Sequence, residues 1–468
     1  MNSQNDNLLQ VKAFDEICDC IFNDDKSPET HADNMKTIYS TLFQSKESIV
    51  DLSKAINAFK ISFDNNPNET IKSILENPIF VKSFGEVFTP DSLISDMVSK
   101  LPKNVWKNPD LKWLDNSCGS GNFLVFIKNK LMRTLSDVII DKDEREKHIL
   151  ENMLYGVELQ AKNCLIAKYR LDKDEKYALN VVQHNALTFD YWDMQFDIVV
   201  GNPPYNDNSG NRGSGHTLWT EFVKLAYNKL VKPEGYLVYV HPSGWRQYNH
   251  KLRATMLEKQ IVYLEIHDEK DGQRVFKCNT RYDWYVMHNV PYTKKTTIMC
   301  QDGVTTKQNL KQWDFIPNRA YDRLIELMAK NDSDKINLVY SESAYEGRKS
   351  WMSREPSDDH IYPCVYTINV ANQPTLFWSS KNTNGHFGVP KVIYSAGKGF
   401  MSDTTGEYGL TQWAVGVVSE PSEHEDIITA LKSDKFHEIL EAISVSRLEI
   451  NRKILGLFRK DFYKEFLP

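Results

Sequence analysis

Apolar residues change their spacing twice along this chain. Over the first 80 residues they fall at helical intervals. Ile38 and Leu42 are four apart, and Ile49, Leu52, Ile56, Phe59 and Phe63 step by threes and fours along one face. Asn65-Asn66-Pro67-Asn68 marks a turn between two helices. The spacing predicts a helical N-terminal region over residues 1–79. From about residue 110, short apolar runs alternate with helix-length amphipathic stretches. The runs are Lys112–Asp115, Met153–Glu158, Asn180–His184, Asp197–Val200, Tyr236–His241, Ile261–Ile266 and Tyr282–Met287. The stretches between them include Phe123–Leu131 and Leu218–Leu230. This alternation predicts an α/β fold, a Rossmann-like parallel sheet of seven strands with helices on both faces, over residues 80–295. The link Asp268–Arg281 is short and polar, without room for a full crossover helix, so the last strand is expected to be reversed. Beyond residue 295 turn-rich stretches, Lys381–Gly385 and Ser402–Gly409, interrupt short strands at Lys391–Ser395 and Thr411–Val418. Two helices follow, near Glu423–Ser433 and Lys435–Phe458. Residues 296–468 therefore read as a mixed α+β domain.

Length and charge narrow the class. At ~150 residues per domain, 468 residues predict about three domains. Hydrophobic residues make up 41% and charged residues 26%, enough for a sizeable core. The 57 Lys and Arg against 63 Asp and Glu give a formal charge of −6, which excludes a histone-like basic coat but not a local basic groove. The mean hydropathy is −0.50, and no apolar run approaches the ~18 residues that span a bilayer, so no membrane partner is expected. The polar, acidic N-terminus has no secretory pattern. Seven cysteines without a C-x-x-C pair fit a reduced, cytoplasmic compartment and no metal site. Cys18 and Cys20 read as two small residues on an N-terminal helix.

The sharpest chemical signal is Asn202-Pro203-Pro204-Tyr205, directly after the apolar run Phe196–Val200. It therefore sits at the C-terminal end of a predicted strand, where open parallel sheets bind ligands. Two prolines stiffen the turn and remove two N–H donors. The acceptors left are the Asn202 side-chain oxygen and the Pro203 carbonyl, which together suit an –NH2 group. Tyr205 adds an aromatic face on which a flat heterocycle can stack. A second signal is Asp115-Asn-Ser-Cys-Gly119-Ser-Gly121-Asn-Phe123, between a predicted strand and a predicted helix. Gly119 and Gly121 permit positive φ and close backbone approach. Neither the G-x-G-x-x-G fingerprint nor a P-loop lysine is present, so a phosphate-bearing ligand is not indicated. A third is Glu158, ending the next strand, where a carboxylate can accept from ribose hydroxyls.

Together these residues resemble the gamma group of S-adenosylmethionine-dependent amino-methyltransferases that modify adenine N6 in DNA. In that family the cofactor half precedes the catalytic half and a target-recognition domain comes last. Gly85-Glu-Val-Phe88-Thr89-Pro90 resembles the motif that helps hold the methionine end of the cofactor, and Asp115–Phe123 the cofactor glycine loop. Glu158 falls at the ribose position, and Asn185-Ala186-Leu187 resembles the segment beside the cofactor adenine. The family usually carries Asp where Asn185 stands; an amide oxygen can still accept from the adenine amino group. Asn202–Tyr205 resembles the catalytic tetrapeptide, and Phe276 falls where a second aromatic often meets the target base. Tyr282, Trp284 and Tyr285 read more simply as residues of the last strand. The resemblance covers residues 80–290. It implies a site-specific adenine methyltransferase with S-adenosylmethionine as cofactor. The cofactor-binding set it implies is Thr89, Asp115, Gly119, Gly121, Glu158, Asn185, Ala186 and Asn202. The catalytic set is Asn202, Pro203, Pro204 and Tyr205, with Tyr205 and Phe276 stacking on a flipped base. Double-stranded DNA and a cognate restriction endonuclease are the partners it implies.

Phosphate contacts need Lys and Arg. Lys229–Lys259 holds six against two Glu, and Val445–Lys464 carries a local +4. Arg246, Lys251, Arg253, Arg452 and Lys453 are the candidates there, with Lys391 and Lys398 of a Gly-Lys-Gly turn as a further pair. A protein glutamine or RNA base amino-methyltransferase uses the same –NH2 chemistry and stays open, as does a non-catalytic DNA-specificity subunit.

Overall fold

The computed structural model describes residues 89–468 except 207–216, 342, 384–385, 396–398 and 446–450. The helical region expected over residues 1–79 and the residues Gly85–Phe88 lie outside the described residues. The chain forms two compact units. One comprises the described residues up to Pro242 with Lys251–Met299 and Thr305–Leu310; the other comprises Ser243–His250, Cys300–Val304 and Lys311–Pro468.

The first unit is built on strands β1 (Trp113–Asp115), β2 (Leu154–Glu158), β3 (Asn180–Gln183), β4 (Phe196–Gly201), β5 (Val231–Pro242), β6 (Lys259–His267), β7 (Tyr282–Pro291), β8 (Thr296–Met299) and β9 (Thr305–Gln308). Their order is β3-β2-β1-β4-β5-β7-β6-β8-β9. The first five are parallel, and β7 runs antiparallel between β5 and β6. The seven expected strands and the reversed last one are thus present. The sheet also continues past residue 295 through β8, parallel to β6, and β9, antiparallel to β8. The Asp268–Arg281 link holds a two-turn helix, Glu269–Phe276, which its polar composition concealed.

Helices α1 (Asp91–Ser99), α2 (Asn122–Thr134), α3 (Lys142–His148), α4 (Ala161–Leu171), α5 (Trp219–Leu225), α6 (Lys251–Met256) and α7 (Glu269–Phe276) accompany the sheet. α2 buries Phe123, Leu124, Ile127 and Leu131, one stripe at helical spacing. α1 adds Leu93, Ile94, Met97 and Val98 to the same cluster, which also takes in Trp113, Val200, Val238, Phe276 and Trp284. β4 is buried along almost its whole length, as its continuous apolar run requires of a strand covered on both faces.

The second unit has two four-stranded sheets, ordered β10-β17-β14-β15 and β11-β13-β12-β16. The first consists of β10 (Leu338–Tyr340), β14 (Lys391–Ser395), β15 (Phe400–Asp403) and β17 (Ala414–Val418). The second consists of β11 (Met352–Ser353), β12 (Tyr362–Ile368), β13 (Pro374–Ser379) and β16 (Gly409–Leu410). Helices α8 (Tyr321–Leu327), α9 (His424–Lys432), α10 (Asp434–Ile443) and α11 (Arg452–Leu455) complete it. The long helix expected over Lys435–Phe458 is therefore two separate helices.

Candidate active site

The strand order reverses at β1. The chain leaves β1 toward β2 and β3, then returns to place β4 on the other side, with Asp115 level with Gly156 on one flank and Val200 on the other. The loops after β1 and β4 therefore emerge side by side at a topological switch point, the crevice where open α/β sheets bind ligands. The Asp115–Phe123 loop and the Asn202–Tyr205 corner are those two loops.

The first loop is tightly tied. Ser117 N donates to Asp115 Oδ1 at 3.0 Å, Gly121 N to the Cys118 carbonyl at 2.8 Å, and Cys118 N to the Val157 carbonyl at 3.1 Å. Gly119 and Gly121 adopt φ of +52° and +84°, and Gly121 directly precedes α2. A Cβ on Gly121 would lie 3.1 Å from the Cβ of Ala167 on α4, whereas one on Gly119 would meet nothing within 4 Å among the described residues. Glycine is thus needed for packing at 121, while the backbone at 119 faces open space. Glu158 is buried, and its two carboxylate oxygens accept from Gly119 N and Gln160 N, each at 2.9 Å. Asp115 is also buried, and loss of solvent raises its pKa to about 8; the Ser117 N–H opposes the rise and the nearby Glu158 charge adds to it. Ser117 Oγ and Gln160 Oε1 are buried and have no hydrogen-bond partner among the described residues.

β3 ends beside the end of β2, with His184 N donating to the Glu158 carbonyl at 2.8 Å. Asn185 Oδ1 accepts from Leu187 N at 3.0 Å and so turns the chain. Ala186 is buried, and its carbonyl accepts from Tyr191 Oη at 2.7 Å. Leu159, 65% exposed, presents an apolar side chain directly after Glu158.

At the second loop, Asn202 Nδ2 donates to Thr89 Oγ1 at 3.2 Å, which turns the acceptor end of the amide away from Thr89. Thr89 is buried, and its carbonyl accepts from Asn122 Nδ2 at 3.1 Å. Pro203 is buried and Pro204 exposed. Leu218 N donates to the Tyr205 carbonyl at 3.2 Å. The Tyr205 ring packs edge-on against Phe276, which α7 delivers. Thr89, the glycine loop, Asn202, Tyr205 and Phe276 are thereby brought together by contact, from four separate stretches of sequence.

The sequence pattern missed Asn116 and Tyr239. Asn116 is fully buried beneath the loop and accepts from Tyr239 Oη at 2.5 Å. Tyr239 sits in the apolar run of β5 and reads as core; only a hydroxyl amid a valine-rich run hints at a partner.

Two of the basic candidates are corrected. Arg246 is fully buried in the second unit, where Nη1 donates to the Ile316 carbonyl at 2.8 Å and Nη2 to Asn318 Oδ1 at 3.0 Å. Lys391 is fully buried too, with Nζ 2.6 Å from Asp403 Oδ2 and donating to the carbonyls of His386 and Val389. Neither can reach a phosphate. Lys398 lies outside the described residues. Lys251 and Lys453 are exposed and Arg253 is half-buried. Arg452 lies 4.3 Å over the Tyr340 ring. Among the described residues no group of three or more His, Cys, Asp or Glu is placed to hold a metal ion. No helix among them is long and apolar enough to cross a membrane.

Residues 128–276 match the model of the Eco57I restriction-modification methylase family. An uncharacterized adenine-specific methylase of Mycoplasma pneumoniae is 25% identical, over 42% of this chain and 62% of that protein. The type II restriction enzyme and methyltransferase RM.BcgI of Heyndrickxia coagulans is 24% identical, over 54% of this chain and 41% of that protein. The chain thus spans less than two thirds of either relative. Among solved structures, a nuclease-deletion mutant of the Type ISP restriction-modification enzyme LlaGI, in complex with a DNA substrate mimic, shares the fold. The TM-score is 0.53 at 12% identity, covering 98% of this chain and 53% of that one.

Proposed function

We propose that this chain is an S-adenosylmethionine-dependent DNA methyltransferase that acts on adenine N6, in a restriction–modification setting with a cognate endonuclease as partner. The observation that carries the reading is the Thr89–Asn202 hydrogen bond at 3.2 Å, which joins the Asn-Pro-Pro-Tyr corner to the glycine-loop side of one switch point. The residues fit the cofactor. Open space faces Gly119, the side chains of Ser117 and Gln160 hold orphaned polar atoms, Glu158 ends β2, and Leu159 offers an apolar surface for a flat ring. Thr89, Asp115, Gly119, Gly121, Glu158, Asn185 and Ala186 would hold it. When bound, the cofactor supplies an electrophilic sulfonium methyl.

The chain's own residues do the rest by positioning. The N6 lone pair of adenine is delocalised into the ring, which makes it a weak nucleophile. Hydrogen bonds from the amine to Asn202 Oδ1 and the Pro203 carbonyl favour a more tetrahedral nitrogen and stabilise its growing positive charge. Loss of the amine proton follows transfer, so no strong base is required. The target base must leave the duplex, at a few kcal/mol, and stacking on Tyr205 returns ~1–3 kcal/mol of that. Lys251, Arg253, Lys398, Arg452 and Lys453 are proposed for phosphate contacts.

Incubation with methyl-labelled cofactor and, separately, duplex DNA, RNA and a release factor tests the reading. Label is expected in duplex DNA as N6-methyladenine. Label only in the glutamine of the release factor, or only in RNA, overturns it. Expression in a methylation-free host, followed by mapping of modified adenines, would then define the target site.

A further inference from the structure

A series of hydrogen bonds runs from α4 to the catalytic corner. Arg170 Nη1 donates to Asn122 Oδ1 at 2.5 Å, to the Ser120 carbonyl at 2.8 Å and to Ser120 Oγ at 3.3 Å. Asn122 Nδ2 donates to the Thr89 carbonyl at 3.1 Å, and Thr89 Oγ1 accepts from Asn202 Nδ2 at 3.2 Å. Arginine has donors and no acceptor, so it dictates which end of the Asn122 amide faces it. The other end must then be the NH2 group that anchors the Thr89 main chain. Thr89 is buried and Asn122 half-buried, so an unmade link is not repaid by water. Asp91, two residues beyond Thr89, sets a negative charge toward the guanidinium and offsets part of the cost of its burial.

We propose that Arg170 is a positioning residue for Asn202, acting through Asn122 and Thr89, so that the glycine loop and the catalytic amide are fixed as one unit. This rests on the proposed methyl transfer to an amine. It adds that the orientation of the catalytic amide is set from α4, on the far side of the glycine loop. All three contacts of Arg170 come from one nitrogen, which a lysine Nζ can replace. Asn122→Asp cuts the series in the middle, because a carboxylate keeps Arg170 but offers no donor to the Thr89 carbonyl.

The test uses crystal structures of the full-length chain without ligands, together with steady-state kinetics on duplex DNA at saturating cofactor. In Arg170→Met and Asn122→Asp, the Asn202–Thr89 hydrogen bond is expected to be lost and kcat to fall about ten- to hundred-fold, the scale of a small misplacement of a reacting group. Arg170→Lys should retain both. In the Arg170→Met, Thr89→Val double variant kcat should fall no further than in the worse single variant. Persistence of the Asn202–Thr89 contact in both Arg170→Met and Asn122→Asp overturns the proposal. So does a loss confined to cofactor affinity and additive with Thr89→Val. If wild-type protein methylates no amine substrate at all, the proposed function fails instead, and the crystal structures still decide whether Arg170 sets the amide.

Discussion

The rings of Tyr205 and Phe276 meet edge to face, with centroids 6.4 Å apart and planes at 83°. Phe276 in turn packs edge-on against Tyr282 at 4.8 Å, and the His267 ring lies parallel to Tyr282 at 4.4 Å. Tyr282 and His267 both bond to Asp271 on α7, so the helix that delivers Phe276 is fastened to the sheet through the same aromatic series. The Tyr205 hydroxyl is buried and has no hydrogen-bond partner among the described residues, and burial holds its pKa far above the usual phenol range. It therefore offers a ring and a neutral hydroxyl that satisfies nothing. Tyr205→Phe should leave kcat/KM on duplex DNA within about twofold, because only an idle group is removed. Tyr205→Ala should lower it by about ten- to hundred-fold, matching ~1–3 kcal/mol of base stacking. Initial rates of methyl incorporation decide the matter, and equal losses in the two variants would exclude stacking as the role of the ring.

Asn202 carries the amide whose donor end is spent on Thr89. Its acceptor end is the part the proposed methyl transfer uses. Asn202→Ala should therefore cost about a hundredfold or more in kcat, as removal of a preorganised polar group at a reacting centre does. Cofactor affinity, read by calorimetry, should change by less than about threefold, since the glycine loop and Glu158 remain tied to one another. Near-normal methylation by this variant would show that the Pro203 carbonyl suffices alone.

The elements that position the site were legible because their signals are local. Strands β1 to β7 announce themselves as apolar runs, and the Asn-Pro-Pro-Tyr corner and the glycine loop lie at strand ends that such runs define. What was not legible depends on partners distant in sequence. Arg246 and Lys391 look like exposed cations in basic stretches. Each is instead swallowed by groups that no spacing rule connects, Asn318 at 72 residues and Asp403 at 12. The hairpin β8–β9 was hidden because Thr-Thr pairs and Lys307 carry little apolar pattern, although Asp302-Gly303 is a hairpin turn signal. The helix Glu269–Phe276 was hidden for the same reason, since only Gly272 and Phe276 of it are buried.

Asp115 makes the first unit sensitive to pH. Its folded pKa is about 8 against an ordinary value of 3.8, chiefly because burial penalises the charge. Between about pH 4 and about pH 8 the folded chain thus holds a proton that the unfolded chain has released. The fold binds more protons there, so this group makes stability fall as pH rises through that window and level off above it. Asp115→Asn keeps an acceptor for Ser117 N and removes the titration. Urea unfolding midpoints at about pH 5 and about pH 9 should fall more steeply in the wild type than in the variant. Parallel behaviour would mean that the carboxylate is ionised throughout.

The Lys391–Asp403 pair in the second unit is sealed from solvent on both sides, with side-chain exposures of 0% and 1%. Asp403 also accepts from Glu407 N at 2.9 Å and Tyr408 N at 3.1 Å, so the pair pins the turn after β15 to β14. Burial pulls the Lys391 pKa down, and the hydrogen bond and charge of Asp403 resist that pull. Removing the cation alone strands a buried carboxylate, which costs about 3–5 kcal/mol. Lys391→Met should therefore unfold the second unit at clearly lower denaturant, while Lys391→Met combined with Asp403→Leu should recover much of the loss, because the double change leaves no unpaired charge. Under conditions where the single variant is folded, the salt dependence of its DNA affinity should match that of the wild type, since a lysine with no exposed surface releases no counterion. A shallower salt slope for Lys391→Met would instead place its ammonium on the DNA and contradict the burial.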